Sequence, residues 1–392
     1  MKSYVIVINE VDDAEIALEE LEAQMAGIEL LKNSVGIVSA HPEYISSGVY
    51  SAVAKAAPFP VLGMTALAQT ANGETGSYIF SILVLTSDDC DFIHGKSGAI
   101  PEKGDITGIV QGLYKKLAAE LNGKPKLVIL QAPYLENRCG TDYIRAISGV
   151  DAGVTVFGSM ASAETTSVKD DMKTFYCGEY YGDRFAMLLA GGNISPEFYI
   201  GSLTKESVIM PNIGEVTAAR NNIVTEINGM NIGSFFDKIG FVAGDARNEG
   251  LLASAFVADE KDSEGNIISS MTRSLVALGG GAGIFGGDMP VGSVLSIAAV
   301  TKDVIMSTAK EVAAKITEKH SGKTVLMYSC IGRRFALLDE PAKEYELLNE
   351  SLAGGGFRYV AACSFGEICP MLVTETETRN GDHNHTLIAC VF

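Results

Sequence analysis

With 392 residues, 47% hydrophobic and 20% charged, the chain has room for two domains and a sizeable core, and it is too apolar to be disordered. Its net charge of −18 excludes nucleic acid, whose phosphates would be repelled, and anionic membrane surfaces. No stretch approaches the run of about 18 apolar residues that spans a bilayer, and the N-terminal apolar run is short and soon meets Asp12, Asp13 and Glu15, so it is not expected to act as a signal peptide.

Residues 4–8 read as a strand. Asp12 then caps a helix with Glu15 in the capping-box position, and Val11, Ala14, Leu18, Leu21 and Met25 share one face at spacings of three and four. Residues 35–40 form a strand, and a helix follows with Ile45, Val49, Val53 and Ala56 inward, stopped by Pro58 and Pro60. Residues 61–70 read as a strand with a small-residue corner at Gly63, and 78–85 and 92–94 as two more strands. The order then returns: helix 105–121, strand 127–131, helix 141–150, strand 155–164 with Gly158 at its corner, a hairpin of 175–181 with 184–190, and strand 198–203. A third, more diverged copy closes the chain: strand "KTVLMYSC", helix 341–352, strand and corner "YVAACSFGEICP", strand "HTLIACVF". The spacing of the copies, 60 to 80 residues, lies beyond that of a typical solenoid repeat.

Between the second and third copies, residues 223–240 predict a strand, a turn at Asn228-Gly229 and a short helix. Residues 259–266 form a charged loop without periodicity, 274–278 and 294–300 strands around a glycine run, and 303–320 a helix. A boundary is expected in 205–222, where Pro211 and asparagines interrupt the pattern, giving modules 1–205 and 206–392. The fold class is α/β with α+β character: mixed sheets with flanking helices, built from repeated strand–helix–strand–hairpin units.

The seven cysteines are odd in number and lack zinc-ribbon spacing, so reduced thiols in a cytoplasmic protein are expected. Gly281-x-Gly283-x-x-Gly286 matches a dinucleotide motif formally but runs into a strand instead of a helix, which leaves a wide turn or a backbone anion nest. "SGKT" at 321–324 has Thr317 where a phosphate loop needs glycine. His383 and His385 lack a third ligand at zinc spacing. Neither a metal nor a cofactor is expected. Cys330 lies near Arg333 and Arg334, and a lowered thiol pKa would make it a nucleophile, but no base–oxyanion set is legible. The distinctive group is Cys330, Arg333, Glu344, Glu367 and Asn384 at strand ends. A guanidinium with carboxylates there can hold a zwitterion, or Arg333 and a glutamate can simply lock helix to sheet.

"CIGRR…E" at 330–344, "SFGEICP" at 364–370 and "HNHTLIAC" at 383–390 resemble the C-terminal signature of FIST (F-box and intracellular signal transduction) domains, and "EINGM…FFDKIG" at 226–240 resembles the start of that module. "VLGMTALAQT" and "VFGSMASAE" resemble the corners of the FIST N-terminal module, although "GMT" lacks the cysteine often found at that turn. The resemblance implies a prokaryotic sensory protein binding an amino acid or derivative, with Arg333, Glu367, Asn384 and Thr386 carried over as ligand positions. As both modules fill the chain, a separate signalling protein is the expected output partner, and a homo-oligomer is possible. The alternatives are an enzyme using Cys330 or Cys363 with Glu367, and a structural scaffold subunit.

Overall fold

The computed structural model describes residues 1–101, 104–135, 138–163, 171–203, 205–241, 254–372 and 378–392. Three six-stranded sheets share one plan. In the first, Lys2–Ile8, Phe80–Ser87, Asn33–Ala40 and Val61–Thr65 lie side by side. In the second the order is Cys90–Lys96, Ala186–Gly192, Leu127–Ala132 and Thr155–Met160. In the third it is Glu197–Gly201, Leu387–Val391, Thr324–Cys330 and Arg358–Ser364. Within each set the last two strands are parallel and the other neighbours antiparallel. This mixed α/β architecture is the expected class. The parallel pairs need a crossover, which the intervening helices supply.

Each sheet is completed by a hairpin from a different unit. Gln69–Ala71 and Glu74–Gly76 of the first unit extend the third sheet. Thr174–Tyr176 and Glu179–Tyr181 of the second extend the first. Glu367–Leu372 and Thr378–His383 of the third extend the second. The exchange is cyclic, so the units interlock around a pseudo-threefold axis. The three corners meet there: Ser162 N–H donates to Thr65 O (3.0 Å), Phe365 N–H to Met160 O (2.9 Å) and Cys363 N–H to Ala68 O (2.8 Å). Where the third symmetric contact would fall, the Ser162 hydroxyl intervenes, accepting from Leu67 N–H (3.2 Å) and donating to Cys363 O (3.0 Å). The corners need small residues because backbones cross: a Cβ on Gly63 would lie 1.9 Å from Val38 O, and one on Gly158 2.0 Å from Leu130 O. The end of the second corner, at Glu164, lies outside the described residues.

A seven-stranded sheet spans residues 208–299 and closes on itself, since Val208–Arg220 pairs with both Val294–Ala299 and Ile223–Ile227. It packs its own core of Val216, Phe235, Phe236, Phe256, Leu275, Phe285 and Leu295. Because Glu197–Gly201 pairs with Leu387–Val391, this barrel sits as an insertion within the third unit.

Three local expectations are corrected. Residues 175–181 do not pair with 184–190. They belong to a hairpin of their own, turning at Cys177 and Gly178 (φ 48° and 83°), and Ala186–Gly192 joins the next sheet. The stretch 205–222 is not an interruption but mostly a 13-residue strand, with Pro211 absorbed at register shifts between Met210 and Gly214. Asp259 and Glu260, read as loop, continue the strand Ser254–Lys261, because a solvated barrel rim tolerates polar strand residues.

Candidate functional site

Cys330, Arg333, Glu344, Glu367, Asn384 and Thr386 converge at the strand ends of the third unit, but in two separate groups. Arg333 is fully buried. Its Nε (3.0 Å) and Nη2 (2.5 Å) donate to Glu344 Oε1, Nη2 also to Ile305 O and Thr308 Oγ1 (3.1 Å each), and Nη1 to His385 O (3.4 Å). Ser329 Oγ donates to the other Glu344 oxygen (2.7 Å). This guanidinium is held by protein through all three of its nitrogens and ties the helices Lys302–Lys319 and Lys343–Ala353 to the sheet.

Glu367, also fully buried, accepts from Ser364 Oγ (2.7 Å), Gly366 N–H (3.2 Å) and Thr386 Oγ1 (2.8 Å). Burial pushes its carboxyl up to about 8, against the pull of those hydrogen bonds. Asn384 Oδ1 accepts from Ser274 N–H in the barrel (3.2 Å). The space bounded by Cys330, Gly366, Asn384, Ser274 and Gly286 is about 10 Å³, room for roughly one water. Among the described residues no metabolite-sized hollow is seen there.

Nor is nucleophilic chemistry supported in this group. Burial raises the Cys330 thiol well above its ordinary value, and that of Cys363 to about 11, so neither carries thiolate near neutrality. Ser274 Oγ lies 2.9 Å from His385 Nε2, but burial and then Arg333 lower that imidazole to about 3, far too weak for a general base at neutral pH. His383 Nε2 is hydrogen-bonded to Cys369 O (3.1 Å). Iodoacetamide on native protein is therefore expected to label Cys177, the exposed cysteine, with the other six modified only after unfolding. Peptide mapping that found Cys330 or Cys363 alkylated in the native state would revive the thiol enzyme.

The larger space lies at the seam between the barrel and the second unit, a cavity of about 660 Å³. Its walls include Thr141, Arg145 and Val154 on one side, and Met271, Arg273 and Asp288 on the other; Arg379 and Asp382 of the exchanged hairpin line it too. Arg273 is 4% exposed. Its Nε donates to Asp288 O (3.0 Å), and Nη1 to Thr272 O (3.1 Å) and Asp382 O (2.8 Å). Among the described residues no carboxylate forms an ion pair with it. Gly287 leaves it room, since a Cβ there would touch the guanidinium at 2.8 Å. The Asp382 carboxyl accepts from Thr141 N–H (3.1 Å) and Oγ1 (3.2 Å) at the start of the helix Gly140–Ser148, and its second oxygen is buried without a partner. Burial lifts Asp382 to about 6, partly offset by Arg273. At the rim, Arg145 and Asp288 pair across the seam at 2.8 Å.

Sequence reading missed Arg273, which lies within the strand Ile267–Gly279, whereas the reading began that strand at Ser274. The available signal was an arginine two residues from Met271, on one face of an alternating run.

Two adjoining FIST modules account for this architecture. The sequence model of the FIST N domain matches residues 34–230 and that of the FIST C domain residues 255–370, and the chain belongs to this family. FIST domains are associated with signal transduction and small-ligand sensing. No curated protein matches the chain. Among solved structures, a cyanuric acid hydrolase from A. caulinodans is similar at 9% identity and a TM-score of 0.34, over 100% of this chain and 98% of that one.

Proposed function

We propose that this protein senses a small, polar, amino-acid-like metabolite bound in the seam cavity, with the ligand's carboxylate on Arg273, and that a separate signalling protein reads its occupancy. One observation carries the reading: a guanidinium removed from water, hydrogen-bonded to backbone carbonyls and not to a carboxylate among the described residues, lines a hollow of ligand size. The ionised Asp382 carboxyl nearby offsets part of the cost of burying that charge, and a bound anionic group that reaches the guanidinium itself relieves more of it. Arg is suited to the task because its planar fork matches a carboxylate. In this reading Arg333, Glu344, Glu367 and Thr386 build the floor of the third unit, and Asn384 fastens the barrel beside the site. The seven unpaired cysteines fit a reducing cytoplasm.

Thermal shift against a panel of amino acids and related acids tests this. A ligand at 100 times its dissociation constant adds about 2.7 kcal/mol of stability. At least one acid is expected to raise Tm in the wild type and in Glu367→Gln but not in Arg273→Gln, with Arg273→Lys retaining part of the effect. A panel without a hit, or a shift that persists in Arg273→Gln, would contradict the proposal.

A further inference from the structure

The cavity has an apolar side as well as a charged end. Met271 stands two residues from Arg273 on the same face of its strand, and Ala258 is its partner on the adjacent strand. Met371 pairs with Arg379 in the exchanged hairpin, and its sulfur would lie 3.3 Å from a Cβ on Gly381, so glycine keeps that neighbour low. Val154 and Ile144 extend the apolar lining from the second unit. Both methionines are half-buried. Unbranched thioethers adapt to varied apolar shapes, which is why they recur on tolerant binding surfaces. The volume, about 660 Å³, falls in the range of pockets that enclose ligands much larger than a free small amino acid.

Building on the seam-site reading above, we infer that the ligand is an amphipathic carboxylate: an acid head on Arg273 and an apolar tail lying between Met271 and Met371. The tail then determines affinity and the head determines orientation.

A homologous series, acetate to octanoate, titrated by calorimetry into the full-length protein tests this, with primary alcohols of matching length as controls. Each methylene seated on the methionines is expected to tighten binding about 4-fold, until the tail outgrows the cavity. The alcohols should bind at least 10-fold more weakly than the acids. Met271→Ala, at a half-buried position that folding tolerates, should flatten the length dependence while leaving acetate unchanged. Arg273→Lys should weaken every acid by a similar factor. Affinity that is independent of length but still sensitive to Arg273 would overturn the tail subsite and leave the seam site standing. No binding along the series would overturn the tail subsite, and acids and alcohols binding alike, without regard to Arg273, would overturn both.

Discussion

Glu344→Ala is expected to destabilise the protein by about 3–5 kcal/mol, because it leaves the fully buried guanidinium of Arg333 without its countercharge. The remaining acceptors of Arg333 are two carbonyls and a hydroxyl, which solvate but do not neutralise it. Ser329 Oγ also loses its acceptor. Replacing both partners, as Arg333→Met with Glu344→Leu, removes the charge together with its mate and is expected to be neutral or stabilising by up to about 4 kcal/mol. Urea unfolding of the two single variants and the double variant yields the coupling. A cost below about 1 kcal/mol for Glu344→Ala would mean that the pair is open to water and that this side of the third unit is not sealed.

The second large effect concerns pH. The Glu367 carboxyl titrates at about 8 in the folded protein, against an ordinary value of 4.5, so the native state holds a proton that the unfolded chain releases. Stability from this group is therefore fully present below about pH 4.5 and is lost as pH rises toward 8, with little further change above. The slope reaches about 1.4 kcal/mol per pH unit and the total is on the order of 5 kcal/mol. Asp382, raised to about 6, acts in the same direction but has finished titrating by pH 7. His383 and His385, lowered to about 4 and 3, act oppositely and only below about pH 6.5. Between pH 7 and 8.5 Glu367 is the largest contributor, and buried thiols such as Cys330 and Cys363, raised above their ordinary value of 9, add a smaller decline in the same direction toward the upper end. Glu367→Gln should remove most of the decline there and be the more stable protein at pH 8.5. The first unit already shows the arrangement: Gln69 opens its exchanged hairpin as Glu367 opens the third unit's, accepting from Ser81 Oγ (2.6 Å) and donating to Ser39 O (3.1 Å). A wild-type stability flat from pH 7 to 8.5 would contradict an uncharged Glu367.

The order of elements was legible because it depends on local signals: apolar runs of strand length, helical spacing such as Leu113 and Leu117, and glycine where parallel strands cross, as at Gly63 and Gly158. What joined the elements was not. The hairpin Gln69–Gly76 pairs with Arg358–Ser364 nearly three hundred residues away, and no local pattern records a partner of that kind. The barrel strand at 208–220 was hidden by Pro211, because the bulge that accommodates proline looks in sequence like a break.

At the site, Cys330, Glu367, Asn384 and Thr386 lie close together because each sits at a strand end of one unit, which the strand order in the sequence makes legible. Whether polar residues face a hollow or each other depends on packing. Neither Arg333 nor Arg273 carries a sequence signal that tells which of them is sealed. Glu344 on a following helix closes the first, while the second opens onto a seam that exists only because a barrel is inserted there. The charged end of that seam draws on Thr141, Arg273 and Asp382, from three different segments.

Everything functional here depends on the ligand lying at Arg273 and not beside Cys330 and Glu367. A crystal grown with 6-bromohexanoate, with the bromine located by anomalous scattering, tests this directly. The expected result is one bromine near Met271 and Met371, with the carboxylate within hydrogen-bond distance of the Arg273 guanidinium. Bromine in the space bounded by Cys330, Gly366 and Asn384, or an empty seam at saturating probe, would contradict the account.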